Sequence, residues 1–284
     1  MRIILTLFFI ASYFISFAQF GFGGTKAINK LKNTELLVVL GYDNAYNQAI
    51  KAAVEKHWNF TEYRFISGPE YNQYCGDKRY SFLMKFTIRD WSFVDEQYDD
   101  VGIVLGGNCR TGPYEMVSFA NMIVMNGSYY NAECVRAIQM MQNYLAVGEQ
   151  EYLPKDNFRQ TVDLYKSGHL EMKDRTLVLQ EEDMLYDFVK LSKVKAAYTH
   201  PVRFGGQSEV DKATLNQTDD FLYTKLIFDP YGYKYRCVIR AKDSKILYAI
   251  ETQNREVILM GKRTLREFND LENQKNHKSF VLGF

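Results

Sequence analysis

The chain is short of the residues and spacings that mark common catalytic and metal centres. Its 284 residues include only four histidines and four cysteines, and none of them falls into an HExxH, HxH or CxxC pattern. Zinc-dependent and thioredoxin-like chemistry therefore have no support. Gly206 and Ser208 begin a nucleophile-elbow pattern, but position 210, which that pattern requires to be glycine, is Val210. Serine hydrolase chemistry has no support on that ground.

The chain also lacks an excess of charge of either sign. Removing residues 1–18 takes away one arginine and no acid, which leaves 34 basic and 34 acidic residues. No run of basic residues is longer than two. Nucleic acid and anionic lipid both attract proteins through clustered Lys and Arg, so the sequence disfavours nucleic-acid binding.

One long apolar run is present, at the N-terminus. Arg2 is followed by an almost wholly apolar stretch that ends in the small residue Ala18, which predicts a secretory signal peptide over residues 1–18, cleaved after Ala18. The alternative is an uncleaved anchor, because the run is just under the ~20 residues of a spanning helix. No cysteine follows the run, and no later stretch is long and apolar enough to cross a bilayer. We therefore expect a soluble periplasmic or secreted protein with no transmembrane segment after signal removal.

Four cysteines, Cys75, Cys109, Cys134 and Cys237, follow the predicted signal. An even number in an oxidising compartment permits disulfides, and spacings this wide leave three pairings open. Cys109–Cys134 is the preferred pair on sequence distance. Buried free thiols are the alternative.

A short pattern that occurs twice suggests a repeated module. In residues 31–40 and again in residues 171–180, a Lys and an Asn or Asp lead into a run of Leu and Val. Strand-like and helix-like patterns then follow in the order βαβαβββα in both halves. The sequence therefore predicts an α/β fold of two tandem similar modules, produced by duplication, each a mixed sheet with helices packed on it.

Composition sets the boundaries of these modules. Residues 19–30 are rich in glycine, and Pro154 with Ser167-Gly168 interrupts the pattern between the halves. The predicted segments are a signal peptide at 1–18, a flexible lead-in at 19–30, the first module at 31–148, a linker at 149–170 and the second module at 171–284.

Three local expectations follow from the patterns. Residues 132–147 predict an amphipathic helix with Val135, Ile138, Met141 and Leu145 inward. Residues 183–195 predict a helix that begins with an acidic turn. Tyr46 and Tyr186 occupy matching positions of the two halves when the sequences are aligned.

The most unusual loop follows the fourth predicted strand, over residues 106–112. Gly106 and Gly107 would let a backbone approach a ligand closely, and Asn108 and Arg110 supply polar contacts. An arginine there would pair with a carboxylate or phosphate. These four residues are the candidate ligand-binding site, and a long hairpin turn is the alternative interpretation. The sequence indicates no catalytic residue, no metal ligand and no cofactor.

Two further places have weaker support. Open α/β sheets bind ligands beyond the carboxyl ends of their parallel strands, which here means residues 41–44 and 181–183. The acids at 181–183 would bind a hard cation, or they complement the positive end of the helix expected to follow. The 21 tyrosines and 20 phenylalanines would serve glycan binding, or they reflect ordinary strand composition.

Residues 47–60, which read NQAIKAAVEKHWNF, and the later Tyr80-Ser81-Phe82-Leu83 resemble a group of exported α/β proteins of Bacteroidetes-type bacteria. The residues around Ala18 are similar to theirs as well. The resemblance implies a location in the bacterial envelope. It carries over no catalytic residue, because that group has no assigned activity.

Together these observations favour an exported, non-catalytic binding or structural protein of the bacterial cell envelope, whose partner is a cell-envelope protein. The alternative is a periplasmic or secreted hydrolase with a site between the modules or at residues 106–112. Glycan binding through surface aromatics is a third hypothesis.

Overall fold

A computed structural model describes residues 23–89, 97–110, 116–122, 130–153, 171–228, 234–251 and 259–269. The predicted signal peptide at 1–18 and most of the predicted linker, residues 154–170, lie outside the described residues. Within the described ranges, no helix is both long enough and apolar enough to cross a membrane.

The first half, residues 23–153, forms a five-stranded mixed sheet with four helices. Strand β1 pairs in parallel with β2 and β3, and β3, β4 and β5 pair antiparallel in succession, which gives the order β2-β1-β3-β4-β5. The elements are α1 (Gly24–Leu31), β1 (Glu35–Leu40), α2 (Asn44–His57), β2 (Tyr63–Ser67), α3 (Gly68–Tyr74), β3 (Tyr80–Arg89), β4 (Gln97–Leu105), β5 (Ser118–Met122) and α4 (Tyr130–Gln150).

The second half, residues 171–269, contains another five-stranded mixed sheet, in the order β7-β6-β8-β9-β10. Its first strand again pairs in parallel with the next two, and the remaining strands are antiparallel. The elements are β6 (Thr176–Leu179), 3-10 turns at Glu181–Asp183 and Tyr186–Phe188, α5 (Leu191–Ala197), β7 (Val202–Phe204), α6 (Gln207–Leu215), β8 (Phe221–Phe228), β9 (Lys234–Arg240), β10 (Ile246–Glu251) and α7 (Lys262–Asn269). The predicted α/β class with two mixed sheets is confirmed.

Both halves enter their first strand through the same turn. Thr34 N donates to Leu31 O at 2.9 Å, and Arg175 N donates to Met172 O at 3.2 Å. In each half, the next backbone N–H then donates to the carbonyl of the residue before the third strand, from Glu35 to Arg79 and from Thr176 to Asp220. The twofold occurrence of the Lys-Asn/Asp pattern therefore marks a shared local structure.

Two expectations about local structure are wrong. Residues 24–30, expected to be part of a flexible lead-in, belong to helix α1, because Ile28 and Leu31 lie three residues apart and are both fully buried. Residues 183–195 do not form one helix. The backbone of Asp183 and Leu185 instead bonds to Met260, from Met260 N to Asp183 O at 2.7 Å and from Leu185 N to Met260 O at 2.9 Å. The observed element order therefore differs from the predicted one in this pairing, in the two 3-10 turns and in the additional helix α1.

Helix α4 is buried on nearly all sides rather than amphipathic. Fourteen of its 21 residues are buried, including Glu133 and Arg136. The helix packs on α2 and β5 of its own half and on α6 of the other half. A helix covered all round lies inside a core, and α4 does so because elements of both halves pack around it.

The hydrophobic core accordingly extends through both halves. One buried cluster contains Leu37 of β1, Ile138 of α4 and Val178 of β6. Leu177 and Leu179, on either side of Val178, belong to a second cluster with Val194 of α5 and the helix α7. Because side chains alternate along a strand, one face of the second sheet packs on the first half and its other face packs on α5 and α7.

Candidate functional site

The candidate loop begins where β4 ends and packs against the turn between α3 and β3. Gly106 N donates to Tyr80 O and Gly107 N donates to Cys75 O, each at 2.9 Å. A Cβ on Gly106 would collide with the carbonyl oxygens of Asp77 and Tyr80, and Gly107 has a φ of +105°. Gly106 is therefore explained by the close packing of two backbone segments, and Gly107 by its positive φ.

A disulfide joins the same two segments. It links Cys75, which caps α3, to Cys109 in the loop, with 4.9 Å between the Cα atoms and a sequence separation of 34. The preferred pairing Cys109–Cys134 is therefore wrong. Cys134 and Cys237 are free and buried, since Cys134 points into the core around α4. In the chain-entropy account, a crosslink over this distance stabilises a fold by about 4 kcal/mol.

Positive charge collects at this crosslinked corner. The exposed Lys78 lays its aliphatic stem beside Gly107, where a Cβ would meet Lys78 Cγ at 2.8 Å. Arg79 binds Asp77 through two nitrogens, at 2.6 and 2.9 Å to Oδ2, and these hydrogen bonds hold the pKa of Asp77 below its ordinary value. Lys78 and Arg79 are functional candidates that sequence reasoning missed, because their approach to the loop depends on the register of β3 with β4 and on the Cys75–Cys109 crosslink.

The two polar residues of the predicted site are both exposed. Asn108 Oδ1 accepts a hydrogen bond from Arg110 N at 3.0 Å, which shapes the end of the loop. Among the residues that the structure describes, neither Lys78 nor Arg110 has an ion-pair partner. We call the set of Asp77, Lys78, Arg79, Asn108 and Arg110 the basic corner.

The loop after β1 uses its carboxylate to organise the protein itself. Asp43 Oδ1 accepts from Ala45 N at 3.0 Å and Tyr46 N at 3.2 Å, which caps α2. Asp43 Oδ2 accepts from Tyr130 Oη at 2.7 Å. This hydrogen bond is the main reason that the pKa of Asp43 is lowered. The pKa of Tyr130 is raised to about 12, chiefly by burial and next by its hydrogen bond to Asp43. The side chain of Tyr42, the residue before Asp43, is fully exposed.

The acidic turn after β6 is also engaged by the protein. Asp183 Oδ2 accepts from Arg236 Nη1 at 2.9 Å, while Glu181 and Glu182 are exposed. Across the described ranges, no three His, Cys, Asp or Glu side chains are grouped to hold a metal ion. The acids do not complement a following α-helix either, because α5 begins only at Leu191.

A buried group of charges lies where the two halves meet, and we call it the interhalf charge cluster. Glu133 of α4 binds Arg136 one turn along the helix and also Lys225 of β8, at 2.9 and 3.1 Å from Nζ to its two oxygens. Arg136 Nε donates to Tyr223 Oη at 2.7 Å, and Arg136 Nη2 lies 3.7 Å from Asp211 Oδ1 of α6. Two positive and two negative side chains thus balance each other inside the core.

Burial and pairing act in opposite directions on these groups. Burial alone would raise the pKa of Glu133, but Arg136 and Lys225 hold it below its ordinary value. Burial raises the pKa of Asp211 in spite of a hydrogen bond from Gln207. Burial likewise lowers the pKa of Lys225 against the attraction of Glu133. These shifts arise from charges that pair with one another inside the core, where Arg136 Nη2 and Asp211 Oδ2 are buried without a hydrogen bond. The cluster is a buried structural arrangement rather than an accessible site.

Two open depressions lie at the opposite end of the parallel strands. One, of about 510 Å³, is lined by Lys195, Tyr198, His200 and Arg203 among others, and a second of about 450 Å³ lies beside Asn59. Both adjoin the segments that enter β7 and β2, at the amino-terminal edge of each sheet. The pKa of His57 is lowered, chiefly by burial and next by the charge of Lys56. His169 and His277 lie outside the described residues.

Comparison with known proteins found no matching family model, no matching curated protein and no matching solved structure. The function therefore has to be argued from the geometry of the chain itself, in which the disulfide-linked basic corner is an accessible group of charges and the interhalf charge cluster is a buried one.

Proposed function

We propose that the chain is an exported, non-catalytic binding or structural protein of the bacterial cell envelope, built from a duplicated α/β module. The observation that carries the proposal is the Cys75–Cys109 disulfide, whose Cys109 is exposed. Exposed disulfides persist in oxidising compartments and are rare in the cytosol. The predicted signal at residues 1–18 and the resemblance of residues 47–60 to exported bacterial proteins agree with this location.

The way in which the charged side chains are used supports binding rather than catalysis. Asp43 caps a helix, Asp183 pairs with Arg236, and Glu133 pairs with Arg136 and Lys225. A catalytic acid or base must be able to reach a substrate proton, whereas these groups are committed to the fold. The basic corner instead offers charged groups to solvent on a fixed backbone.

The two equivalent sheet orders and the shared strand-entry turn support duplication. Both sheets place their first strand between the second and third, and both add two antiparallel strands at the same side. Independent origin would have to reproduce this order and the Thr34 and Arg175 turns together.

The alternative function, a hydrolase, has two proposed locations. The space between the modules is filled by α4, and Glu133 and Arg136 there have side chains no more than 3% exposed. A hydrolase would therefore have to use the loop at 106–112. Arg110→Ala separates the two functions, since loss of a measured turnover without loss of folding would favour the enzyme.

The experiment that tests the proposed function is a cross-linked pull-down of the tagged mature protein from its own cells. We expect recovery of an envelope component by the tagged protein and not by the tag alone. Fractionation of the same cells after thiol blocking should place the oxidised protein outside the cytosol. Failure to recover any envelope component would count against the proposal, and a glycan array that stays blank would remove the saccharide hypothesis.

A further inference from the structure

We propose that the basic corner binds an oxyanion of the phosphate class, carried by a free ligand or by a lipid headgroup. The inference rests on the proposed function and deepens it, because it names the ligand chemistry that an exported binding protein would recognise there. Its residues come from two segments that are far apart in sequence, the α3–β3 turn and the loop after β4.

The first argument is the local balance of charge. Lys78, Arg79 and Arg110 contribute three positive charges, and Asp77 contributes one negative charge that is bound to Arg79. The charge of the corner is therefore +2, whereas the whole chain carries a formal charge of only +1. An excess of one sign in one place attracts ions of the opposite sign even when the protein is nearly neutral.

The second argument is the chemistry of the donors. Arginine presents a planar fork of N–H groups that matches the oxygens of a phosphate, and lysine adds a mobile point charge. Asp77 holds Arg79 through Nε and Nη2, which fixes the direction of that guanidinium. The Arg110 guanidinium and the Lys78 ammonium remain exposed. An oxyanion would thus meet two available cations beside an oriented third.

The third argument is that the backbone of the corner is fixed in advance. The disulfide and the hydrogen bonds from Gly106 N to Tyr80 O and from Gly107 N to Cys75 O tie the two segments together. A binding loop that is already ordered loses less conformational entropy when a ligand arrives. The same crosslink that the proposed function assigns to export therefore also prepares the loop for binding.

The test uses the oxidised mature protein at low salt and two probes. Inorganic phosphate is titrated and followed by backbone amide NMR, and sedimentation is measured with vesicles of phosphatidylglycerol and of phosphatidylcholine. We expect phosphate to shift the amide signals of residues 107–110, or the anionic vesicles alone to sediment the protein. A response to phosphate identifies a free ligand as the source, and a response to anionic vesicles alone identifies a headgroup.

Paired substitutions locate the binding. Lys78→Ala with Arg110→Ala removes two exposed cations, and the control Lys193→Ala with Arg266→Ala removes two exposed cations from the second half. We expect affinity to fall about five-fold for each cation removed from the corner, which corresponds to about 1 kcal/mol each, and to change little in the control. Circular dichroism should show all variants folded, because the four side chains are on the surface.

Two results would overturn the inference. One is the absence of any response to either probe by the oxidised wild-type protein. The other is an equal loss of affinity in the corner variant and the control variant. If the pull-down still recovers an envelope component in either case, the proposed function stands and only its assignment to an oxyanion at this corner fails.

Discussion

Gln142 and Asn269 make the same pair of hydrogen bonds in the two halves of the chain. Gln142 of α4 donates to His57 O and accepts from Asn59 N, each at 2.6 Å. Asn269 of α7 donates to Ala197 O at 2.7 Å and accepts from Thr199 N at 3.0 Å. In each half, the side-chain amide of the last helix closes the carboxyl end of the first crossover helix.

Replacing either amide should destabilise the fold. Gln142→Met and Asn269→Leu each leave a helix-end carbonyl and a nearby N–H without their partner, so we expect a loss of about 1–2 kcal/mol in each variant. Urea unfolding followed by circular dichroism measures this free energy. Gln48→Met on the exposed side of α2 is the matched control. Equal stability of Gln142→Met and the control would refute a role for the amide.

The interhalf charge cluster should be intolerant of the loss of Glu133, whose pKa, against the effect of burial, is lowered by its two cationic partners. Glu133→Gln leaves Lys225 and Arg136 buried with one counter-charge fewer, and we expect a loss of about 3–5 kcal/mol in unfolding free energy. Adding Lys225→Met should recover part of that loss. Glu267→Gln removes a surface ion pair with Arg263 and should cost less than about 1 kcal/mol. A Glu133→Gln protein as stable as this control would contradict the cluster's importance.

The response of Asp211 to pH should have the opposite sign to that of Asp43. Burial raises the pKa of Asp211 above its ordinary value of 3.8, so the native state binds its proton more readily and stability falls as pH rises through that raised value. Asp211→Asn should therefore be more stable than the wild type at pH 7. The advantage should shrink as pH falls towards about 3.8.

The matched variant is Asp43→Asn. The hydrogen bond from Tyr130 and then the backbone bonds lower the pKa of Asp43, so its contribution is present above the unfolded value and is lost as pH falls. Asp43→Asn should be less stable than the wild type at pH 7 and should approach it in acid. Urea midpoints at pH 7, 5 and 4 measure both variants. The same sign of change in the two at pH 7 would show that the assigned causes are wrong.

Thiol chemistry should report one crosslink and two free thiols in the oxidised protein. Under denaturing, non-reducing conditions, alkylation should modify Cys134 and Cys237 only, and proteolysis should give one peptide pair joined through Cys75 and Cys109. The double variant Cys75→Ser with Cys109→Ser should lose about 4 kcal/mol of unfolding free energy. A joined peptide that contains Cys134 would contradict the structure.

Local patterns predicted the elements that local physics determines. The continuous apolar runs of β1 and β6 and the Asp43 cap of α2 need only neighbouring residues to be recognised. The glycines of residues 106–112 also mark an unusual loop, but Gly106 serves backbone packing and Gly107 adopts a positive φ. The basic corner was not predicted, since the approach of Lys78 to Gly107 depends on the register of β3 with β4 and on the Cys75–Cys109 crosslink.

The errors lie where a partner from a distant part of the chain decides the outcome. Met260 pairs with the backbone after β6 and prevents the helix predicted at 183–195. The aligned tyrosines differ for the same reason: Tyr46 on α2 is 2% exposed, whereas Tyr186 in a 3-10 turn is 92% exposed. Gln142 and Asn269 are equivalent in space but differ in type, so alignment by residue identity does not pair them.

The position of α4 means that the repeat cannot be cut at its apparent border. A fragment of residues 171–284 would expose to water the side chains of Val178, Tyr223 and Ile239, which are now buried in a core shared with the first half. It would also leave the Lys225 ammonium without its partner Glu133. A fragment that stops at residue 153 would expose the surface of α4 that packs on the second half. An expression or domain-exchange experiment that is meant to keep the second module folded would have to include α4 together with the second sheet.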